Sequence, residues 1–274
     1  MEYKKYYKEL YLHSLSLEFK SILKGFVNKE SIKRILCPMD VSRYYELPAV
    51  IKSMTLKEGD KVLDISSPKL ITSYLSNKYK NVNFWGIDKF TNEVDTWSNL
   101  VGVRKNLVLE YGDALKLKYP ENYFDEIITI SVIEHVGNGI DEKDGQMMDE
   151  IYRVLKKKGR LYLTTIISKN PDIIYKDKKL YSSVKKKISR YFFCRIYNYK
   201  QIRSRLIDKT KFKIIREQIC NYRFPVFETI VNKMIPASAI FGFLNYLVAP
   251  INIRIQSIKK PIPNRAEYFC ILEK

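Results

Sequence analysis

The stretch Lys57–Leu70, which reads KEGDKVLDISSPKL, constrains the fold of this chain more than any other. A turn signal leads into the short apolar run VLDI, and two serines and a proline follow it. A buried strand that carries an acid at its end and passes into a tight turn of small residues is typical of the first strand–helix unit of a nucleotide-binding sheet. The turn has none of the usual glycines, so this stretch alone leaves open whether a ligand can approach its backbone.

From Val62 onward, runs typical of strands alternate with runs typical of helices. Elements of this length in alternation predict an α/β fold, with a parallel sheet and helices on both faces. The predicted strands are Val62–Ile65, Val82–Asp88, Asn106–Tyr111, Tyr123–Ser131, Gly159–Ile167, Phe212–Cys220 and Ala266–Glu273. The predicted helices are Ala49–Leu56, Leu70–Lys78, Thr91–Val101, Gly145–Leu155 and Tyr199–Ile207.

Composition divides the chain into three predicted parts. Residues 1–43 form a helical segment, residues 44–170 form a Rossmann-like core, and residues 171–274 form a basic and apolar cap that completes the sheet with strands 6 and 7. The segment Ser42–Pro48, with its Arg-Tyr-Tyr cluster, is predicted either to cover the ligand site as a lid or to pack on the core. In the cap, the basic-aromatic stretch Val184–Arg195 precedes the uncharged run Met234–Ile253. Prolines and a glycine interrupt that run, so a buried or interfacial hairpin is favoured over a membrane span.

The chain carries 49 Lys and Arg against 30 Asp and Glu, a formal net charge of +19. This excess predicts attraction to a polyanion, which is a nucleic acid, an anionic membrane surface or a phosphorylated small molecule. A Lys-rich surface that only contacts solvent explains the charge as well. The four cysteines are scattered without metal-binding spacing, and the N-terminus is charged throughout, so we expect a cytoplasmic protein with no metal site and with peripheral membrane contact as an option.

Polar residues follow the first four predicted strands. Asp64, Asp88 and Asp113 come at or after strands 1, 2 and 3, and the run Ser131–His135 follows strand 4. In an open parallel sheet, ligands bind at the carboxyl ends of the strands. The sequence therefore predicts one ligand site that all four strand ends share.

Four runs taken in order, VLDISSPKL, GIDKF, YGDALKLKYPENYFDEIITISVIEHV and DEIYRVLKKKGRLYLTTI, resemble the class I S-adenosylmethionine-dependent methyltransferases of the type 11 kind. The resemblance covers Leu56–Ile167. It implies a seven-stranded sheet with an antiparallel last strand, S-adenosyl-L-methionine as the cofactor, and methyl transfer as the activity. The chain departs from the family where Ser66, Ser67 and Pro68 stand in place of a G-x-G turn.

The resemblance also implies roles for individual residues. Asp64 and the turn after it would hold the methionine end of the cofactor, Asp88 would accept hydrogen bonds from the ribose hydroxyls, and Asp113 would bind the adenine. The implied cofactor-binding residues are Asp64, Ile65, Ser66, Ser67, Asp88, Lys89, Asp113, Ala114 and Ser131.

His135 is the stronger candidate for a catalytic base, because the pKa of an imidazole suits proton transfer near neutrality. Glu134 is the second candidate. Strand 4 is followed by neither an N/D-P-P-Y/F run nor a Pro-Cys pair, so we predict oxygen or carbon methylation of a small molecule, a saccharide or a lipid-linked acceptor. Two alternatives stay open: a nucleic-acid-binding or RNA methyltransferase module, which lacks any RNA-binding motif beyond charge, and an inactive scaffold at a membrane surface.

Overall fold

The computed structural model describes residues 3–25, 35, 39, 43–176, 190–224 and 251–274. The strands are β1 (Lys61–Ile65), β2 (Asn83–Asp88), β3 (Leu107–Tyr111), β4 (Phe124–Ile130), β5 (Leu155–Ile167), β6 (Asp172–Lys176), β7 (Tyr191–Ile196), β8 (Lys213–Tyr222), β9 (Ile253–Gln256) and β10 (Ala266–Glu273). The helices are α1 (Lys4–Leu23), α2 (Arg43–Ser53), α3 (Lys69–Lys78), α4 (Thr91–Val101) and α5 (Lys143–Val154), with a 3-10 turn at Ile133–His135. A short helix at Tyr199–Gln201 continues as a π-helix over Ile202–Ile207.

Eight strands form one sheet in the order β3-β2-β1-β4-β5-β10-β8-β9. The strands β1 to β5 run parallel, and β10 lies antiparallel between β5 and β8. This arrangement confirms the predicted Rossmann-like fold and its antiparallel last strand. The predicted count of seven strands was wrong by one, because β9 pairs antiparallel with β8 through Tyr222 and Ile253 and adds an edge strand.

Two apolar layers hold helices on the two faces of the sheet. One layer includes α1, α2 and α3 and buries Leu10, Tyr44 and Leu75, whereas the other includes α5 and buries Met148 and Ile151. The side chains of both layers come from alternate positions of the same strands, as expected for a sheet that is covered on both faces.

Helix α2 begins at Arg43, so the predicted helix start at Ala49 was wrong. Pro48 lies inside the helix, where a residue without an N–H is normally disfavoured. Burial explains why the helix continues: Tyr44, Tyr45 and Leu47 are fully buried, and this apolar contact outweighs the loss of one backbone hydrogen bond.

A two-stranded antiparallel sheet of β6 and β7 follows the core strands. Its second strand contacts the 3-10 turn at Ile133–His135, so it lies beside the carboxyl end of β4. Most of the predicted apolar hairpin Met234–Ile253 and the first part of the basic-aromatic stretch Val184–Arg195 fall outside the described residues. In the part of the chain that the structure describes, none of the helices combines the length and the apolar character needed to cross a bilayer.

Candidate functional site

The sheet order places the carboxyl ends of β3, β2, β1 and β4 side by side. The polar residues at these strand ends, far apart in sequence, are thus brought to one edge of the sheet. This edge is where an open parallel sheet binds ligands. The structure therefore assembles the predicted site residues in one region.

The turn after β1 adopts a glycine-like conformation without a glycine. Ser66 has a φ of 53°, in the left-handed region that glycine usually occupies. Its N–H donates to the Ile87 carbonyl at 2.9 Å, and the hydroxyl of Ser67 accepts a hydrogen bond from the Ile130 N–H at 2.9 Å. The two serines thus connect β1 to both of its neighbouring strands and keep the backbone path that a ligand-binding turn needs.

Asp64 is fully buried, and its carboxylate is engaged by its own turn and helix. One oxygen accepts the Ser67 N–H at 3.0 Å, and the other accepts the hydroxyl of Thr72 in α3. A buried carboxylate with two such donors orients the turn strongly. Its implied role at the methionine end of the cofactor stays a prediction, and the geometry favours an indirect role through the turn.

The carboxylate of Asp88 faces a lysine that sequence reasoning missed. The ammonium of Lys69 lies 3.3 Å from Oδ2 of Asp88 and donates to the Ser67 carbonyl at 2.9 Å. The Lys69 side chain is 4% exposed, and the Asp88 side chain is 11% exposed. The other carboxylate oxygen accepts the Phe90 N–H at 3.1 Å. The sequence signal that could have identified Lys69 is its position as the one cation in the first turn of a helix that otherwise begins with apolar residues.

Asp113 and Lys89 form an ion pair of 2.9 Å across the ends of β3 and β2. The Leu115 N–H also donates to Asp113, at 3.0 Å. Partial burial alone would raise the pKa of Asp113, but the Leu115 amide and the Lys89 ammonium outweigh it and hold that pKa below its usual value. Asp113 is therefore a carboxylate at neutral pH, and Ala114 lies next to it on the partly exposed turn.

On the acceptor side, Ser131 contacts a glutamate that the sequence analysis did not single out. The Ser131 hydroxyl donates to Oε1 of Glu46 at 2.6 Å, and the Thr164 hydroxyl donates to the same oxygen at 2.5 Å. Arg43 pairs with the other oxygen of Glu46 at 2.5 Å. Glu46 is the acid within the Arg-Tyr-Tyr segment, and through it α2 is attached to the ends of β4 and β5.

Glu134 is 1% exposed, and its Oε2 accepts the Thr165 hydroxyl at 3.0 Å. Burial, with the nearby negative charge of Glu46, raises the pKa of Glu134 to about 7, although the Thr165 hydrogen bond and Arg43 act in the opposite direction. A carboxyl group that titrates near neutrality is suited to take up or release a proton.

His135 has one ring nitrogen engaged by the small β6–β7 sheet. Its Nδ1 lies 2.5 Å from the Phe193 carbonyl oxygen, and the two rings meet edge to face at 5.0 Å. Because a carbonyl only accepts, Nδ1 carries the proton and Nε2 keeps its lone pair. Burial lowers the pKa of His135, so the ring is neutral at pH 7. The lone pair of His135 therefore lies on Nε2, for which the described residues show no hydrogen-bond partner.

The donor and acceptor set at this edge fits S-adenosylmethionine. Asp88 offers carboxylate oxygens to a ribose diol, and Asp113 offers one to an exocyclic amino group. The carboxylates near β4 and β5 complement a positively charged sulfonium. The left-handed φ of Ser66 supplies the backbone conformation that the missing glycine put in question.

Comparison with known proteins agrees with a site for S-adenosylmethionine at this edge of the sheet. Residues 63–163 match the model of the methyltransferase domain family. The phosphoethanolamine N-methyltransferase of Plasmodium falciparum is 30% identical over 116 residues, which cover 42% of this chain and 42% of that protein. The chain therefore aligns with less than half the length of this curated relative.

Two solved structures share the fold. The MccD protein superposes with a TM-score of 0.53 at 13% identity, covering 84% of this chain and 96% of the other. An S-adenosylmethionine-dependent methyltransferase from Methanosarcina mazei superposes with a TM-score of 0.51 at 15% identity, covering 83% and 97%. The family match extends from within β1 to within β5 and so contains all four strand ends of the site. The stretch that contains the four strand ends thus matches the methyltransferase domain family, and the chain shares its fold with these two solved structures.

Proposed function

We propose that this chain transfers a methyl group from S-adenosylmethionine to a small-molecule acceptor bound beyond the carboxyl ends of β4 and β5. The observation that carries the proposal is the alignment of three carboxylates, Asp64, Asp88 and Asp113, at the ends of three adjacent strands. Their order follows the order in which the cofactor presents its methionine, ribose and adenine parts.

In this proposal Asp88 binds the ribose hydroxyls, and Asp113 with the Ala114 amide binds the adenine. Lys89 keeps Asp113 ionised and in place through its 2.9 Å ion pair. Asp64 acts through the turn, because its carboxylate is fully buried and is held by Ser67 and Thr72. The cofactor supplies an activated methyl group, and the chain's own residues bind it and orient the acceptor toward it.

On the acceptor side, Nε2 of His135 is available as a proton acceptor. The β6–β7 sheet fixes this ring through the Phe193 carbonyl, so the predicted cap also positions the candidate base. Ser131 would line the same side, where its hydroxyl is oriented by Glu46.

The acceptor atom is the finer part of the proposal. The sequence favours oxygen or carbon in a small molecule, a saccharide or a lipid-linked acceptor. The name of the Plasmodium relative specifies a phosphorylated small molecule and methylation of nitrogen. We infer that the acceptor is small and carries an anionic group, for which the exposed cations Lys176 and Arg190 of the β6–β7 region are suitable partners. Binding of nucleic acid or of an anionic membrane stays a prediction from charge.

The test is a crystal structure of the protein with S-adenosylhomocysteine. We expect the ribose hydroxyls within hydrogen-bond distance of Asp88, the adenine beside Asp113 and Ala114, and the sulfur directed toward Ser131 and His135. A cofactor bound at another edge of the sheet, or with its sulfur directed away from His135, would contradict the proposed placement.

A further inference from the structure

Helix α1 exposes large apolar side chains on one face, although its opposite face already packs on the core. The inward face buries Leu10 and Leu17 in the apolar layer that α1 shares with α2 and α3. On the outward face, Leu12 is 53% exposed, Phe19 is 55% exposed and Leu23 is 86% exposed. A helix that is apolar on both faces is normally covered on both, so the outward face calls for an explanation.

The exposed side chains of α1 form a single stripe. They recur at intervals of three or four residues, which is the spacing of neighbours on one side of a helix. From its first to its last member the stripe is about 27 Å long, as the rise of a helix dictates. We call this stripe the outer face of α1, and its members are Lys5, Lys8, Leu12, Ser16, Phe19 and Leu23.

The charged residues of α1 are divided between its two sides. Its two acids are engaged by the protein: Glu18 is 1% exposed, and Glu9 accepts hydrogen bonds from Tyr74 and Lys78 of α3. All the exposed charged residues of the helix are lysines, and a further exposed lysine follows it. These cations are Lys4, Lys5, Lys8, Lys20 and Lys24. The outer face and its borders therefore combine large apolar side chains with an excess of positive charge.

Polar contacts fix the inner side of α1 to α3. Nε2 of His13 lies 2.9 Å from the hydroxyl of Ser73, and Glu9 of the next inward turn holds Tyr74. The rings of His13 and Tyr74 also meet edge to face at 5.8 Å. Since the inner side is occupied in this way, the outer face is the side of α1 that is available to a partner.

We propose that the outer face of α1 binds the surface of an anionic membrane, with the helix axis parallel to the bilayer. Leu12, Phe19 and Leu23 enter the boundary between the head groups and the acyl chains, and the lysines contact the lipid phosphates. Such a surface offers an apolar phase and a negative charge together, which matches both properties of this face. The inference concerns attachment to a membrane and does not depend on the methyl acceptor.

Two other occupants match the outer face less well. A second copy of the chain, joined face to face about a two-fold axis, would bring the same lysines together without exposed acids of α1 to pair with them. A nucleic acid would attract the lysines through its phosphates, but it would leave Leu12 and Leu23 without an apolar partner. The membrane surface is the occupant that accounts for both the lysines and the apolar side chains.

The test is sedimentation of the full chain with lipid vesicles at low and at high salt. We expect binding to vesicles of equal parts phosphatidylcholine and phosphatidylglycerol, weakened by salt, and little binding to phosphatidylcholine alone. Phe19→Ser and Leu23→Ser should each lower the partition coefficient about fivefold, because each removes an apolar side chain from the contact. Lys20→Gln should lower it by about the same factor through the loss of one charge.

The matched controls lie elsewhere on the surface. Ile140 is 85% exposed, like Leu23, and precedes α5 on the other face of the sheet, whereas Lys157 is an exposed lysine of β5. Ile140→Ser and Lys157→Gln should bind the vesicles like the wild type. The unfolding midpoint of each variant shows that the fold is kept.

Failure of the wild type to sediment with the anionic vesicles, or equal sedimentation with the neutral ones, overturns the inference. Full vesicle binding by Phe19→Ser and Leu23→Ser also overturns it, and so does a dimer in solution that Phe19→Ser dissociates while no vesicles are bound. Titration with S-adenosylhomocysteine separates the two proposals, because a wild type that binds vesicles but not this ligand counts against the proposed function alone.

Discussion

The ammonium of Lys69 and the carboxylate of Asp88 lie 3.3 Å apart and are nearly enclosed, at the point where the ribose of the cofactor is proposed to bind. The lysine chain passes over Gly86, where an added Cβ would lie 3.6 Å from Cδ of Lys69. The same ammonium also contacts the Ser67 carbonyl. Lys69 therefore connects the turn after β1 to the acid at the end of β2.

Lys69→Met should destabilise the protein by about 3 kcal/mol, because it leaves a buried carboxylate without its cation. The measurement is chemical denaturation. Lys89→Met is the matched control. The Lys89–Asp113 ion pair is exposed to solvent, so removing it should lower the free energy of unfolding by less than about 1 kcal/mol. Adding Asp88→Asn to Lys69→Met should restore much of the lost stability. A Lys69→Met protein as stable as Lys89→Met would contradict this account.

Ser66→Gly should stabilise the protein by up to about 1 kcal/mol, because a residue with a Cβ is disfavoured at a φ of 53°. Ser67→Ala should have the opposite effect and destabilise by about 1–3 kcal/mol, because the Ile130 N–H would lose its acceptor. Urea denaturation of the two variants checks both signs. If Ser66→Gly and Ser67→Ala changed the free energy of unfolding by the same amount and in the same direction, this account of the Ser66–Ser67 turn would be contradicted.

Sequence reasoning predicted the strands and the four strand ends because apolar runs and acids at their ends depend on local pattern. It missed Lys69 and Glu46 for a different reason. Both are charged residues in helices where no local pattern sets them apart, and only the tertiary packing places Lys69 on Asp88 and Glu46 on Ser131. The extra strand β9 was missed because its pairing with β8 is a long-range contact that no local pattern indicates.

Glu46→Ala should loosen helix α2, because Ser131, Thr164 and Arg43 would all lose their shared partner. Hydrogen exchange of the amides in Arg43–Ser53 should become at least tenfold faster. Glu46→Gln keeps an acceptor oxygen for the two hydroxyls and loses the charge pair, so its exchange should be intermediate. If exchange in α2 is unchanged in Glu46→Ala, the contact with the strand ends does not hold the helix.

Glu134→Gln should reduce the dependence of stability on pH. The pKa of Glu134 is raised to about 7 by burial and by Glu46, with Glu267, Cys194 and Tyr197 also facing it and Arg43 opposing the shift. A raised carboxyl pKa contributes stability that is fully present below the ordinary pKa and is lost as the pH rises through about 7.

Between about pH 4.5 and pH 8, the free energy of unfolding of the wild type should fall by on the order of 3 kcal/mol more than that of Glu134→Gln. Chemical denaturation across this pH range measures the difference. The exposed Glu121→Gln serves as control and should follow the wild type. Glu126, whose pKa burial likewise raises to about 7, is unchanged in both variants and gives them a common background. Identical pH profiles for wild type and Glu134→Gln would contradict the burial of an ionisable Glu134.

The central claim is that S-adenosylmethionine binds at the ends of β1, β2 and β3, and isothermal titration of S-adenosylmethionine into the purified chain tests it most directly. We expect saturable binding with one site, at least a tenfold loss of affinity in Asp88→Ala and in Asp113→Ala, and none in Asp95→Ala, an exposed aspartate of α4. Absence of binding to the folded wild type, or equal affinity in all three variants, would contradict the claim.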